Sequence, residues 1–197
     1  MSEAESTDDD ETAAAQLFGE YGVTDIEFSD PSTERYITVT PIAHTMGRHA
    51  SKQFQKSEIS IVERLINRLM QTDENTGDKQ KTMRITREAF EIIDDRVDEN
   101  PVQILVSAVE NSAPREETVR LKYGGISVPK AVDVAPQRRV DQALKFIAEG
   151  VYNSSFKTTT DAEEALADQL LGAANDDVST YSVNQKEENE RVAAAAR

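Results

Sequence analysis

Catalysis needs a nucleophile, a base or a metal ligand held close to a partner, and this chain of 197 residues offers few such groups. It has no cysteine and two histidines, His44 and His49, five positions apart with no third ligand near them. That leaves no thiolate for zinc and no disulfide framework. Asp94, Asp95, Asp98 and Glu99 are a possible cation site or pair of hydrolytic acids. They close a helix, however, and lack the glycine-centred loop of calcium binders, so a solvated face is the simpler reading. Gly77 with Lys79 and Lys81 is not a phosphate-binding loop, because the second glycine and the Lys-Ser/Thr pair are missing. No nucleophile, base and orienting group converge. The expectation is a chain that is not an enzyme and takes no cofactor, no metal and no small-molecule substrate.

The distribution of charge is more informative. The net charge is -15, which by itself argues against a polyanionic partner. Residues 1–34, however, hold 11 acids and no Lys or Arg, residues 35–157 hold 17 acids against 19 bases, and residues 158–197 hold 9 acids against 3 bases. The middle is mildly basic, and the acidity gathers at the ends.

Positioning falls to the elements. Residues 1–34, with Asp8, Asp9, Asp10 and Glu11 in a row and one small apolar cluster at Leu17, Phe18 and Tyr21, read as a flexible acidic extension. Residues 35–56 read as a basic arm, with Arg35, Arg48, Lys52 and Lys56 around Gly47 and His49. Residues 57–197 read as one helical domain. Ile59, Val62, Leu65, Ile66 and Leu69 recur at helical spacing, with Arg64 and Arg68 together on another side. Met83, Phe90, Ile93 and Val97 line a second helix. Asn100, Pro101 and Gln103 supply an N-cap, a first-turn proline and a capping-box partner for a third. Pro136 opens a fourth, with Arg138, Gln142 and Lys145 on one face. Thr160 to Glu163 reads as the capping box of a fifth, carrying Leu166, Leu170 and Leu171, and a polar sixth runs from about Asn184 to Arg197.

Between about 117 and 134 the period becomes two. Val119, Leu121 and Tyr123 alternate with Arg120 and Lys122, Gly124-Gly125 supplies two residues free to take positive φ, and Ile126 and Val128 resume the alternation. A two-residue turn pairs Tyr123 with Ile126 and Leu121 with Val128, placing Arg120 and Lys122 on the opposite face. Tyr123, in phase with Leu121, reads as a packing residue rather than a base-stacking one. The predicted fold is mainly α: a bundle of about six helices with one protruding β-hairpin, which must pack on the helices or be held by a partner.

Several stretches in series resemble the small-subunit ribosomal protein seven family in its archaeal form. They are Gly47-Arg48-His49-Ala50, the helix Ser60 to Asn67, Glu99-Asn100-Pro101-Val102-Gln103, Ala113-Pro114-Arg115-Glu116-Glu117-Thr118, Tyr123-Gly124-Gly125-Ile126, Ala131-Val132-Asp133, Pro136-Gln137-Arg138-Arg139, Ser155-Phe156-Lys157 and Ala165 to Asp168. The resemblance runs from about residue 35 to 197, and the first 34 residues fall outside it.

The resemblance implies a cytoplasmic, ribosomal address, binding of small-subunit ribosomal RNA early in assembly of the subunit head, neighbouring head proteins as partners, and nearby exit-site tRNA and mRNA. It also implies RNA contacts by position: Arg48, His49, Lys52 and Lys56 from the arm, Arg115 before the hairpin, Arg120, Lys122 and Lys130 on it, and Arg138 and Arg139 at the start of the fourth helix. Arginine suits such work because its planar fork grips phosphate through two hydrogen bonds and stacks on unpaired bases. Gly124 and Gly125 would let the hairpin tip approach an RNA backbone. Arg64 and Arg68 read equally as RNA contacts or as salt-bridge partners.

The departure from the family is the acidity, expected of a protein adapted to a salty cell interior. Two other classes of function fit the sequence: a free regulatory RNA-binding protein acting on its own mRNA, and an acidic protein-interaction module without RNA affinity.

Overall fold

The structure is a computed structural model and describes residues 16–47, 49 and 51–197. The elements, in chain order, are β1 (Gln16–Leu17), β2 (Tyr21–Gly22), α1 (Pro31–Glu34), α2 (Ile61–Leu69), α3 (Lys79–Arg96), α4 (Pro101–Ser112), β3 (Glu116–Tyr123), β4 (Ile126–Asp133), α5 (Pro136–Ser155), α6 (Ala162–Ala174) and α7 (Tyr181–Ala195). Short 3-10 turns at Gln55–Glu58 and Asp73–Asn75 lead into α2 and α3. The described residues are thus mainly α, with two antiparallel strand pairs among them, β1 with β2 and β3 with β4.

Helix α4 has the strongest reason to be central. Val102, Leu105, Val106, Ala108 and Val109 are all fully buried, so it is apolar on more than one side. It packs against α5, α6 and α7, while α6 also packs on α3. Each large aliphatic side chain taken from water here contributes roughly 1.5–3 kcal/mol of gross stabilisation. Asn100 caps α4 through Val102 N at 3.0 Å. Gln103 does not close a capping box. Its amide instead clasps the backbone of Glu27, accepting from the N–H at 2.8 Å and donating to the carbonyl at 3.0 Å.

Three other helix expectations are refined. On α3 the buried stripe is Thr82, Ile85, Thr86, Ala89, Phe90 and Ile93, with Met83 and Val97 only half-buried. Two threonines hide in that stripe because their hydroxyls donate to backbone carbonyls of the preceding turn, Thr86 to Thr82 O at 2.9 Å and Thr82 to Lys79 O at 3.1 Å. Helix α6 starts after Asp161, with no side-chain cap. Helix α7 starts at Tyr181, three residues before the polar run that signals it.

The acidic extension divides. Residues 1–15 lie outside the described residues. Residues 16–34 are held on the body, where Leu17 and Tyr21 are buried and the Phe18 and Tyr21 rings meet Phe90 edge-on at 6.2 and 6.0 Å. The polar edge of α4 holds the next stretch. Asn100 donates to Gly22 O at 2.8 Å, and the Glu110 carboxylate accepts from Ser29 N and Asp30 N, each at 3.1 Å. Composition predicts flexibility for 16–34, but the apolar trio and the backbone partners on α4 outweigh it.

The β3–β4 hairpin has the expected register, with Tyr123 opposite Ile126 and Leu121 opposite Val128. Gly124 and Gly125 both take positive φ, +56° and +90°, as a tight hairpin turn demands. Val119, Ile126 and Val128 are exposed, so the outer part stands in solvent; the Tyr123 side chain lies outside the described structure. The base is anchored by the C-terminus. Glu190 accepts from Arg115 N at 2.9 Å, Ala131 N donates to Ala196 O at 3.4 Å, and Arg197 pairs with Glu116.

Candidate nucleic-acid interface

Helix α5 is the axis on which the basic elements meet. At about 100° per residue, Arg138, Asp141, Gln142, Lys145 and Glu149 fall within one sector of roughly 100°, while Arg139 is turned about 100° away from Arg138. The two adjacent arginines therefore meet different surroundings. Arg138, with its side chain 55% exposed, lies over the hairpin base and places Nε and an NH2 group at 3.1 and 2.9 Å from one Glu117 oxygen. Arg139 is 7% exposed; it pairs with Asp30 at 2.8 Å and donates to the Ser32 hydroxyl. The fold thus removes Arg139 from the expected contact surface, because its position on α5 faces α1 and its guanidinium is consumed in tying down the acidic segment. Asp30 is the N-cap of α1. Burial raises its carboxyl pKa, but hydrogen bonds from Ser32 and the Arg139 guanidinium together hold it below the ordinary range.

On the other flank of the sector Asp141 gathers the arm and α2. Lys56 pairs with one of its oxygens and Arg64 with the other at 3.1 Å, while Arg68 reaches its backbone carbonyl at 3.4 Å. Arg64 is buried and also donates to Tyr36 O at 2.7 Å. Burial lowers its pKa and Asp141 opposes that shift. Arg64 is thus a structural clamp, while Arg68 lines the open cleft of about 320 Å³ with His49, Lys56, Asn67 and Asp141.

The arm is tethered through a polar relay. Thr45 Oγ1 and His49 Nε2 lie 2.7 Å apart, Thr45 donates N–H and O–H to Glu63 Oε1 at 3.2 Å each, and Lys79 donates to the same oxygen at 2.6 Å. Burial pushes the Glu63 carboxyl up, but the Lys79 ammonium and the two Thr45 bonds hold it below the usual range. Arg48 lies outside the described residues. Lys52 is exposed and makes no ion pair among the described residues.

The cations on and just before the hairpin contrast with most of those on α3 and α5. Arg115, Arg120, Lys122 and Lys130 are exposed and none makes an ion pair among the described residues. By contrast Arg138, Arg139 and Lys145 on α5, and Arg84, Arg87 and Arg96 on α3, are all paired with carboxylates. Arg120 and Lys122 share one face as expected. Lys130, opposite Val119, is on the other.

Asp94, Asp95, Asp98 and Glu99 are exposed, and no metal-holding group of three or more His, Cys, Asp or Glu occurs among the described residues. Gly77, at φ +81°, connects α2 to α3. Among the described residues no helix is long and apolar enough to cross a membrane.

Sequence reasoning missed Asp141, Glu63 and Glu110, three acids that organise basic or backbone groups. The only available signal was that each occupies a helix alongside buried positions, which composition alone cannot separate from a surface acid.

Residues 33–197 match the family model described as ribosomal protein S7p/S5e. The chain is similar to the small ribosomal subunit protein uS7 of Haloarcula marismortui, 83% identical over 187 residues covering 95% of this chain and 91% of that one. It is also similar to its counterpart in Natronomonas pharaonis, 75% identical with 99% and 96% covered. With the counterpart in Methanothrix thermoacetophila the identity is 52%, over 92% of this chain and all of that one. Those shares are larger than residues 33–197 alone supply, so the likeness runs back into the segment that α4 holds. From the span of the family match and the closeness of these relatives, the chain belongs to the ribosomal protein S7p/S5e family.

Proposed function

We propose that this protein is a structural constituent of the small ribosomal subunit that binds small-subunit ribosomal RNA through Arg115, the hairpin cations Arg120, Lys122 and Lys130, the exposed sector of α5 led by Arg138, and the arm with Arg48, His49, Lys52 and Lys56. The observation that carries this is the contrast in pairing. Arg84, Arg87 and Arg96 on α3 and Arg138, Arg139 and Lys145 on α5 are paired with carboxylates, whereas Arg115 and the hairpin cations Arg120, Lys122 and Lys130 are exposed and make no ion pair among the described residues. An unpaired cation held away from the body gains most from a polyanion brought to it, since no internal partner must be given up.

The same reading makes the protein an organiser of the subunit head, with head proteins as neighbours and the hairpin close to exit-site tRNA and the mRNA path. The glycine tip supports the last point, since it presents backbone without side chains to whatever lies beyond it. Its place in the cell is then the ribosome. In a salty cytoplasm the entropy of counterion release nearly vanishes, so recognition rests on shape, stacking and directed hydrogen bonds. Sedimentation of tagged protein in molar potassium chloride is the test. Co-migration with small subunits is expected, and recovery only in the free-protein fraction refutes the proposal.

A further inference from the structure

Phe54 stands in a conformation and an environment that packing does not explain. Its φ is +64°, in the left-handed region that bulky side chains rarely enter, and the residue is 52% exposed. An aromatic ring normally leaves water on folding. Here the backbone holds it out. Ser57 N donates to Phe54 O at 2.9 Å and Gln55 N to Lys52 O at 3.3 Å, so the ring sits on a locked turn.

Behind it lies Tyr36, ring centroids 6.3 Å apart and tilted by 51°. The Tyr36 backbone is itself fixed by Arg64. One side of the Phe54 ring is thus supported and much of the rest is in solvent. Lys52, exposed and without an ion pair among the described residues, is two positions before it, and Lys56 is two positions after. Ile42 and Met46 are also exposed on this arm, but they are aliphatic. Lys56 is held by Asp141, so Lys52 is the cation left near the ring in sequence, and a flat ring with such a neighbour complements a flat, negatively tethered group better than an apolar protein surface.

We propose that Phe54, backed by Tyr36, is a stacking platform for an unpaired base of the bound RNA, with Lys52 meeting the adjoining phosphate. This rests on the ribosomal RNA-binding reading above and adds a base contact to it. Stacking suits a salty interior because, unlike a phosphate contact, it releases no counterions on forming.

The test uses the full chain and a transcript of the small-subunit ribosomal RNA, with affinity measured across a potassium chloride series. Phe54→Leu keeps an apolar side chain and should weaken binding by about 5- to 150-fold, the range of one lost base–aromatic stack, with the salt dependence unchanged. Phe54→Trp should bind as well as the parent. Phe54→Gly relieves the backbone and should melt no lower than the parent, yet bind as weakly as Phe54→Leu. Parental affinity in Phe54→Leu overturns the proposal, and so does a loss accompanied by a shallower salt dependence. If Phe54→Leu binds RNA normally but fails to enter subunits, the ring faces a protein and the proposal is likewise overturned. An Arg120→Ala/Lys122→Ala variant separates the two readings: weakening there with none in Phe54→Leu sinks only the stacking platform, whereas a parent chain with no affinity for the transcript sinks the RNA-binding reading itself.

Discussion

Replacing Arg138 and Arg139 one at a time separates neighbours that look interchangeable in the sequence. Arg139→Ala removes a charge-assisted contact at 2.8 Å to Asp30 and a bond to the Ser32 hydroxyl. Bonds to charged groups contribute roughly 1.5–3 kcal/mol. Breaking a fully buried pair costs about 3–5 kcal/mol because the surviving charge is stranded. Asp30 is 24% exposed, so water rehydrates it in part. The Arg139 Nε is buried without a partner, a desolvation cost the variant no longer carries.

The net loss should be about 2 kcal/mol, or roughly 4–8 °C in melting temperature for a domain of this size. Arg138→Ala opens an exposed pair, for which about 0–1 kcal/mol is expected. The assay is thermal unfolding followed by circular dichroism in molar potassium chloride, beside binding to the ribosomal RNA transcript. Arg139→Ala should melt early and, well below its melting point, bind nearly as the parent does, while Arg138→Ala should melt as the parent does and bind more weakly. An Arg139→Ala variant that melts with the parent but has lost RNA affinity would refute the inward assignment.

Glu63 should make stability depend on pH: its folded carboxyl lies below its unfolded value, so its contribution is present above an unfolded pKa of about 4.3 and fades as pH falls through the lower folded value. Urea unfolding of the parent and Glu63→Gln should therefore differ by about 2 kcal/mol near neutrality and converge in acid; a constant gap would contradict this. Gly125→Val puts a β-branched residue at φ +90° and should cost the hairpin roughly 1–2 kcal/mol. That loss should appear as faster amide exchange in β3 and β4 with the body's melting temperature unchanged. Deleting residues 191–197 removes the Ala196 and Arg197 contacts to the hairpin base. Amide exchange at Ala131 should then quicken, and protection equal to the parent's would show that the C-terminus does not hold the hairpin.

Local patterns were legible in the chain because their causes are local. Helices α2, α4 and α5 follow from apolar spacing with Asn100 and Pro136 at their starts, and the hairpin register follows from two glycines between alternating strands. The free cations of the hairpin were also legible, since a protruding strand pair leaves its polar face in solvent whatever the rest does. The family could be recognised from serial order alone. The attachment of residues 16–34 was not legible because low hydrophobicity over a window hides three apolar residues, two of which, Phe18 and Tyr21, meet Phe90 far along the chain.

Local spacing and composition thus set the type of each main element, the turn that closes the hairpin and the concentration of cations in the middle of the chain. Which of those cations meet a carboxylate of the same chain depends on packing between distant segments. Arg138 and Arg139 differ by one position, but a helix turns about 100° between them, and the packing of α1 on α5 buries one against Asp30 while the other looks out beside Glu117. Whether a charge is available depends on the acids brought to it from distant parts of the chain, and those distances exist only after folding.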